Sequence, residues 1–401
     1  MIKQIISAAF AATLAMGSAQ AADPSDWPSV LEEAKGQTVY WHAWGGEPRI
    51  NDYIAWAGRQ LKERHGVDVV HVKVSDTGAV VSQVLAEKTA GVTDKGAVDL
   101  IWINGENFAA MKREGLLLSE SWANKLPNFK YVDVAGKPTV INDFTVATDG
   151  LEAPWGMAQL VFFYDTAVTK EVPKSMSALL EWSKANPGRF SYPQPPDYIG
   201  TTFLKQALYE LVADPAVLQS PAADADFAAV TEPLFAYLDK LHPNLWRTAR
   251  TFPKNTAHLR QLLADSELDI AFAFNPSAAS NAIANNELPD TVRSFVLDKG
   301  TIGNTHFVAI PFNSGVKAGA MVLADFLMSP EAQLRKQDPT VWGDPTVLDV
   351  TSTPDADRDM FNKLELGIAT LKPDQLGTVL PEPHPSWMVE LEKAWLSRYG
   401  V

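Results

Sequence analysis

Thr38-Val39-Tyr40-Trp41-His42, then Ile50, Tyr53, Ile54, Ala57 and Leu61, then Val70, Val72 and Val74: the reading of this stretch decides the fold. The first segment reads as a strand, the second places apolar residues at helical spacing, and the third alternates as a second strand. The pattern then repeats. A helix carries Val80, Val84 and Leu85, a strand runs from Val98 to Ile103 with Asp99 as its polar exception, and Phe108 and Met111 lead a helix that stops at Gly115. Three β-α units in succession predict a largely parallel sheet with helices on both faces. Ligands of such sheets gather at the carboxyl ends of the strands.

The turns at those ends read Ala43-Trp44-Gly45-Gly46-Glu47, Ser75-Asp76-Thr77-Gly78 and Asn104-Gly105-Glu106-Asn107. Each joins glycine, which lets backbone approach a ligand, to polar groups beside a helix N-terminus. Any one of them is accounted for as a cap or turn; three along one sheet edge point to a site, with Trp44, Asp76 and Glu106 as its candidates. Near 150 the pattern changes. Pro154-Trp155-Gly156 precedes the apolar run Leu160-Val161-Phe162-Phe163-Tyr164, which is expected to cross to a second lobe, and Phe307 to Pro311 is expected to return. Between them, Ser175 caps a helix through Trp182, and a stiff loop, Tyr192-Pro193-Gln194-Pro195-Pro196, leads into a helix past Tyr198 and Thr201. A strand from Leu268 to Phe274 ends in Asn275-Pro276-Ser277. Trp155 at the hinge, with Tyr198, Thr201 and Asn275 opposite, completes the candidate site.

A chain of 401 residues exceeds what one core organises. The expected division is residues 22–154 with 308–345 as the first lobe, 155–307 as the second, and 346–401 as a C-terminal helical segment packed on the lobes. Residues 1–21 read as a signal peptide: Lys3, an apolar stretch from Ile5 to Met16, and Ala19-Gln20-Ala21 as the cleavage site. There is no cysteine, which removes disulfides, thiolate metal sites and a lipidated anchor. The formal charge is −14, and it becomes one unit more negative once Lys3 departs. Such a surface argues against nucleic acid or anionic membrane as partner. The expected location is the periplasm.

Three stretches carry a family resemblance: Asp99-Leu100-Ile101-Trp102-Ile103-Asn104 with Gly115-Leu116-Leu117, Ala153-Pro154-Trp155-Gly156 with Phe163-Tyr164-Asp165, and Phe326-Leu327-Met328-Ser329-Pro330-Glu331-Ala332-Gln333. Together, and in this order, they resemble the extracellular solute-binding proteins of ABC importers. The last has a physical basis, since Ser329 caps a helix, Pro330 takes its first position and Glu331 suits its dipole. Tyr192-Pro193-Gln194-Pro195-Pro196 and Trp342-Gly343-Asp344-Pro345 are similar to a YnjB-like branch whose members are labelled thiamine-, polyamine- or iron-type binders. The resemblance implies the α/β two-lobed periplasmic binding protein fold, each lobe a mixed sheet flanked by helices and joined by hinge strands. It further implies closure on a small ligand and a membrane permease as partner; the protein itself is expected to be a monomer.

The motifs of enzymes are missing: no Gly-x-Ser-x-Gly, no His-Glu-x-x-His, no Gly-x-Gly-x-x-Gly. Gly136-Lys137-Pro138-Thr139 imitates the end of a phosphate loop without its upstream glycine. A hydrolase would have to use Ser277 or Ser314 with His306 or His384. The seven histidines show no i, i+3 or i, i+4 pair, although His42 and Glu106 could reach a cation. No catalytic residue, resident metal or cofactor is therefore expected. Among ligands, twelve tryptophans and the carboxylates Glu47, Asp76 and Glu106, against Arg49 alone, favour a cationic or zwitterionic nitrogen compound; a neutral sugar comes second, and a metal or oxyanion third.

Overall fold

The computed structural model describes residues 23–372 and 375–400; the expected signal peptide lies outside them. After α1 (Trp27–Ala34), the chain alternates β1 (Thr38–Trp44), α2 (Pro48–His65), β2 (Asp68–Val74), α3 (Thr77–Thr89), β3 (Leu100–Ile103) and α4 (Glu106–Arg113). Helix α2 shows why. Pro48 pre-sets its first turn, Ile50, Tyr53, Ile54, Ala57 and Leu61 form its buried stripe, and Gly66 ends it in the left-handed conformation. Strand β1 is central, parallel to β2 on one side and to β3 on the other, so three carboxyl ends lie on one edge. A short hairpin of β4 (Asn142–Asp143) and β5 (Val146–Ala147) follows.

Strand β6 (Glu152–Gln159) leads directly into β7 (Val161–Asp165), which belongs to a different sheet. The second lobe then gathers α5 (Met176–Ala185), α6 (Tyr198–Leu211), α7 (Phe227–Leu241), α8 (Thr256–Ala264), β8 (Ile270–Ala273), α9 (Ala278–Ala284) and β9 (Val292–Phe295). Its sheet is antiparallel, with β7 between β8 and β9. The chain returns along β10 (Thr301–Ala309) to α10 (Lys317–Leu327), α11 (Pro330–Gln337) and α12 (Asp355–Lys363), and ends with β11 (Val379–Leu380) and α13 (Pro385–Tyr399).

In the first lobe β10 lies antiparallel between β3 and β6, while its opening residues pair with β11. The lobes have separate cores. Trp41, Tyr53, Trp122, Trp155 and Met321 are buried in the first, which also takes Val347, Leu348 and Phe361; Phe162, Tyr192, Phe203 and Leu238 are buried in the second, with Trp387 and Trp395 of α13. This is the two-lobed α/β fold that the repeating units and the resemblance implied.

The crossing strands differ in extent from their sequence reading. The outward passage is made by β6, and the apolar run from Val161 onward is already a strand of the second sheet. The return begins at Thr301, not Phe307, because Thr301, Asn304 and Thr305 are polar yet buried, and so escape an apolar count. The helix marked by Ser329-Pro330-Glu331 forms as expected, with the Ala332 N–H donating to Ser329 Oγ at 3.2 Å. Among the described residues no helix is long and apolar enough to cross a membrane.

Candidate functional site

At the carboxyl edge of the first sheet each turn is shaped by glycine. A Cβ on Gly105, whose φ is +61°, would lie 2.7 Å from the Phe144 ring, so only glycine lets the β4–β5 tip rest on the start of α4. The Gly105 N–H donates to Asp143 Oδ2 at 2.7 Å. Asp76 caps α3 by accepting from the Gly78 N–H. Trp44 stands 42% exposed at the end of β1, its ring folded over Gly46. Glu106 opens α4 and accepts from Asn107 Nδ2 at 2.8 Å. Burial raises its pKa to about 7; Lys205 opposes that rise, and Glu392 and Glu382 add to it.

The groups facing Glu106 come from the second lobe. Asp197 caps α6, and Gly200 fits beneath the Tyr192–Pro196 loop, where any Cβ would meet the Pro193 carbonyl. This sets Tyr198, Thr201 and Lys205 along one helix. Lys205 Nζ, wholly buried, pairs with Glu382 Oε2 at 2.6 Å and lies 5.0 Å from the ring centre of Phe144 and 5.1 Å from that of Tyr198. Tyr198 Oη donates to Glu382 Oε1 at 3.2 Å, and Asn304 Nδ2 donates to both Tyr198 Oη (2.7 Å) and Glu382 Oε1 (3.1 Å). Thr201 Oγ1 donates to Glu392 Oε1 on α13 at 2.8 Å. Burial lifts the Glu392 carboxyl, and the charge of Asp76 across the lobe boundary lifts it further. Two more carboxyls lie behind: burial drives Asp143 and Glu152 far above the usual range, and neither Glu152 oxygen has a hydrogen-bond partner.

An aromatic cluster adjoins this network along the crossing strands. Trp102 packs edge-on against Trp155 and His306, with ring centres 4.9 and 5.2 Å apart, and His306 stacks parallel to Trp342. Behind them Lys336 Nζ meets Asp344 Oδ2 at 2.7 Å, and His306 Nε2 lies 3.2 Å from Asp344 Oδ1. Burial works against ionising Asp344, but Lys336 and His306 outweigh it and hold the carboxyl below its ordinary pKa. Gly156 makes room for all three: a Cβ there would fall 2.2 Å from Asp344 and 2.6 Å from Lys336.

Of the residues singled out from sequence, Asp76, Glu106, Tyr198 and Thr201 converge on the Lys205 network. Trp155 and Asn275 go elsewhere. Trp155 is fully buried in the aromatic cluster, and Asn275 Nδ2 donates to the Trp342 carbonyl at 3.4 Å. Sequence reading passed over Lys205, Asn304, Glu382, Glu392 and Phe144. Two signals were available: Lys205 is the one charge in the run Phe203-Leu204-Lys205-Gln206-Ala207-Leu208, and Glu382 is bracketed by Pro381 and Pro383. Of the serines considered as nucleophiles, Ser314 bonds away from the histidines. Ser314 Oγ donates to Asp99, His306 faces Asp344, and His384 pairs with Ser386. Among the described residues no three His, Asp or Glu side chains are placed to hold a metal ion.

A family model described as bacterial extracellular solute-binding protein matches residues 56–360. The chain is a bacterial extracellular solute-binding protein. Protein YnjB of Escherichia coli K12 is 46% identical to this solute-binding protein over 377 residues, 94% of this chain and 95% of that one. Two solved structures share its fold. The spermidine/putrescine ABC transporter substrate-binding protein PotD from Streptococcus pneumoniae is 16% identical, with a TM-score of 0.57 over 90% of this chain and 99% of that one. The periplasmic binding protein AfuA from Actinobacillus pleuropneumoniae, bound to fructose-6-phosphate, is 14% identical, with a TM-score of 0.63 over 91% and 99%. Transport is thus the work of this solute-binding protein's family, of the kind that serves ABC transporters.

Proposed function

We propose that the protein is the periplasmic substrate-binding component of an ABC importer, a monomer that closes its lobes on a cationic or zwitterionic nitrogen compound, of thiamine- or polyamine-like type, and delivers it to a membrane permease without altering it. One observation carries the choice of ligand: at the lobe junction the carboxyls of Glu106, Glu382 and Glu392, with Asp76 acting on Glu392, face a single cation, Lys205. With Lys205 paired to Glu382, carboxyls still outnumber cations here, and a bound cation would favour ionisation of Glu106 and Glu392. Opposite charges about 4 Å apart gain roughly 4 kcal/mol at an effective dielectric constant near 20. Asn304 Oδ1, buried with no donor, offers an ammonium or amidine N–H a ready acceptor. The name of PotD, which refers to spermidine and putrescine, agrees with a basic ligand.

Native mass spectrometry on protein purified without denaturation tests this reading. The expected result is one bound small molecule with a basic nitrogen, which on re-addition raises the melting temperature and is recovered unchanged. A retained neutral sugar or phosphate ester overturns the choice of ligand, and turnover of the compound overturns the binding role.

A further inference from the structure

The Lys205 ammonium already occupies the kind of place a ligand cation would seek. It is wholly buried, bonded to Glu382 Oε2, and flanked by the Phe144 ring of the first lobe and the Tyr198 ring of the second. Carboxylate on one side and aromatic faces on the others make the cage that recognises an ammonium group. The acceptor Asn304 Oδ1 is buried beside this pair with no donor of its own, while Asn304 Nδ2 is spent on Tyr198 and Glu382.

We propose that Lys205 is a built-in first cation that fixes the charge of the solute: the closed site accepts one positive centre, beside Asn304, Glu106 and Glu392, and discriminates against a solute carrying two. The inference rests on the cationic reading above and narrows it. With Glu382 committed to Lys205, and Asp143 accepting from the Gly105 N–H behind the site, the carboxyls left facing a solute are Glu106 and Glu392. Glu392 already accepts from Thr201 Oγ1 and Glu106 from Asn107 Nδ2, and burial opposes ionising both at once. A second ammonium would stand in low dielectric without a partner, which is costly.

The test measures affinities by calorimetry for two matched pairs, n-butylamine with 1,4-diaminobutane and n-pentylamine with 1,5-diaminopentane. They are compared in the parent, in Lys205→Met and in Lys205→Met/Glu382→Gln. The parent should prefer the monoamine of each pair. Lys205→Met frees Glu382 and leaves space for an ammonium, so the diamine-to-monoamine affinity ratio should rise by about ten-fold or more. The double variant removes both members of the ion pair and should return the ratio toward that of the parent. A parent that prefers the diamines overturns the proposal without any variant, which also decides the matter should Lys205→Met fail to fold. A ratio unmoved by Lys205→Met overturns it while leaving the cationic reading intact. If no amine binds any of the three proteins, the cationic reading itself falls, and this inference with it.

Discussion

Glu106 is pulled two ways. As the first residue of α4 it sits where the helix dipole favours a negative charge, yet burial among other carboxyls prevails and its pKa stands near 7. A cation bound beside it would favour the ionised form, so affinity for a basic solute should rise between pH 6 and 8, and calorimetry of Glu106→Gln should show a weaker and flatter profile. Stability without ligand should move the opposite way. The unfolded chain loses this proton near 4.5 and the folded protein holds it to about 7, so the contribution of Glu106 is whole below the first value and lost as pH rises to the second. Denaturant titrations of parent and Glu106→Gln across that window measure the difference. Single residues were legible in part. Glu106, Asp76, Tyr198 and Thr201 sit at helix starts, where local sequence announces them. Lys205 and Glu382, 177 positions apart, are joined only by folding, and no local pattern links them.

At the scale of elements the sequence was clearest where apolar spacing and caps agreed. The first three β-α units and α11 were readable because each helix carries its own boundary signals. Removing one such signal tests the point: Ser329→Ala takes the acceptor from the Ala332 N–H and should cost about 1 kcal/mol in urea unfolding. The long crossing strands were less legible, since β10 buries threonine and asparagine and its register shifts between His306 and Phe307. Gly156 faces that shift. Gly156→Ala would drive a methyl group into Asp344 and Lys336, and separating this buried pair should destabilise the protein by roughly 3 kcal/mol or more in the same assay.

Across the whole molecule the lobes meet at several places besides the Lys205 network. Helix α13 packs on α4. Arg49, at the start of α2, donates to Asn285 Oδ1 on the turn after α9 at 2.8 Å. If these contacts hold the lobes together around a solute, X-ray scattering should show a more compact particle at saturating ligand, and Arg49→Ala should need more ligand to reach it while its ligand-free melting barely changes. An identical profile with and without ligand would count against closure.

Among the described residues the chain passes between the lobes three times: along β6 into β7, back along β10, and between α12, whose Phe361 belongs to the first core, and α13, whose tryptophans belong to the second. The third passage lies against the second, with Thr301 opposite Val379. A joint held by three straps side by side resists sliding and twisting, so the one easy movement left is bending about a single axis. Closure of the jaws, as proposed above, would follow one coordinate and bring the same pairs together each time, Lys205 to Phe144 and Arg49 to Asn285. A partner that gauges the gap between the lobes would read a single number from this molecule, with no family of postures to tell apart.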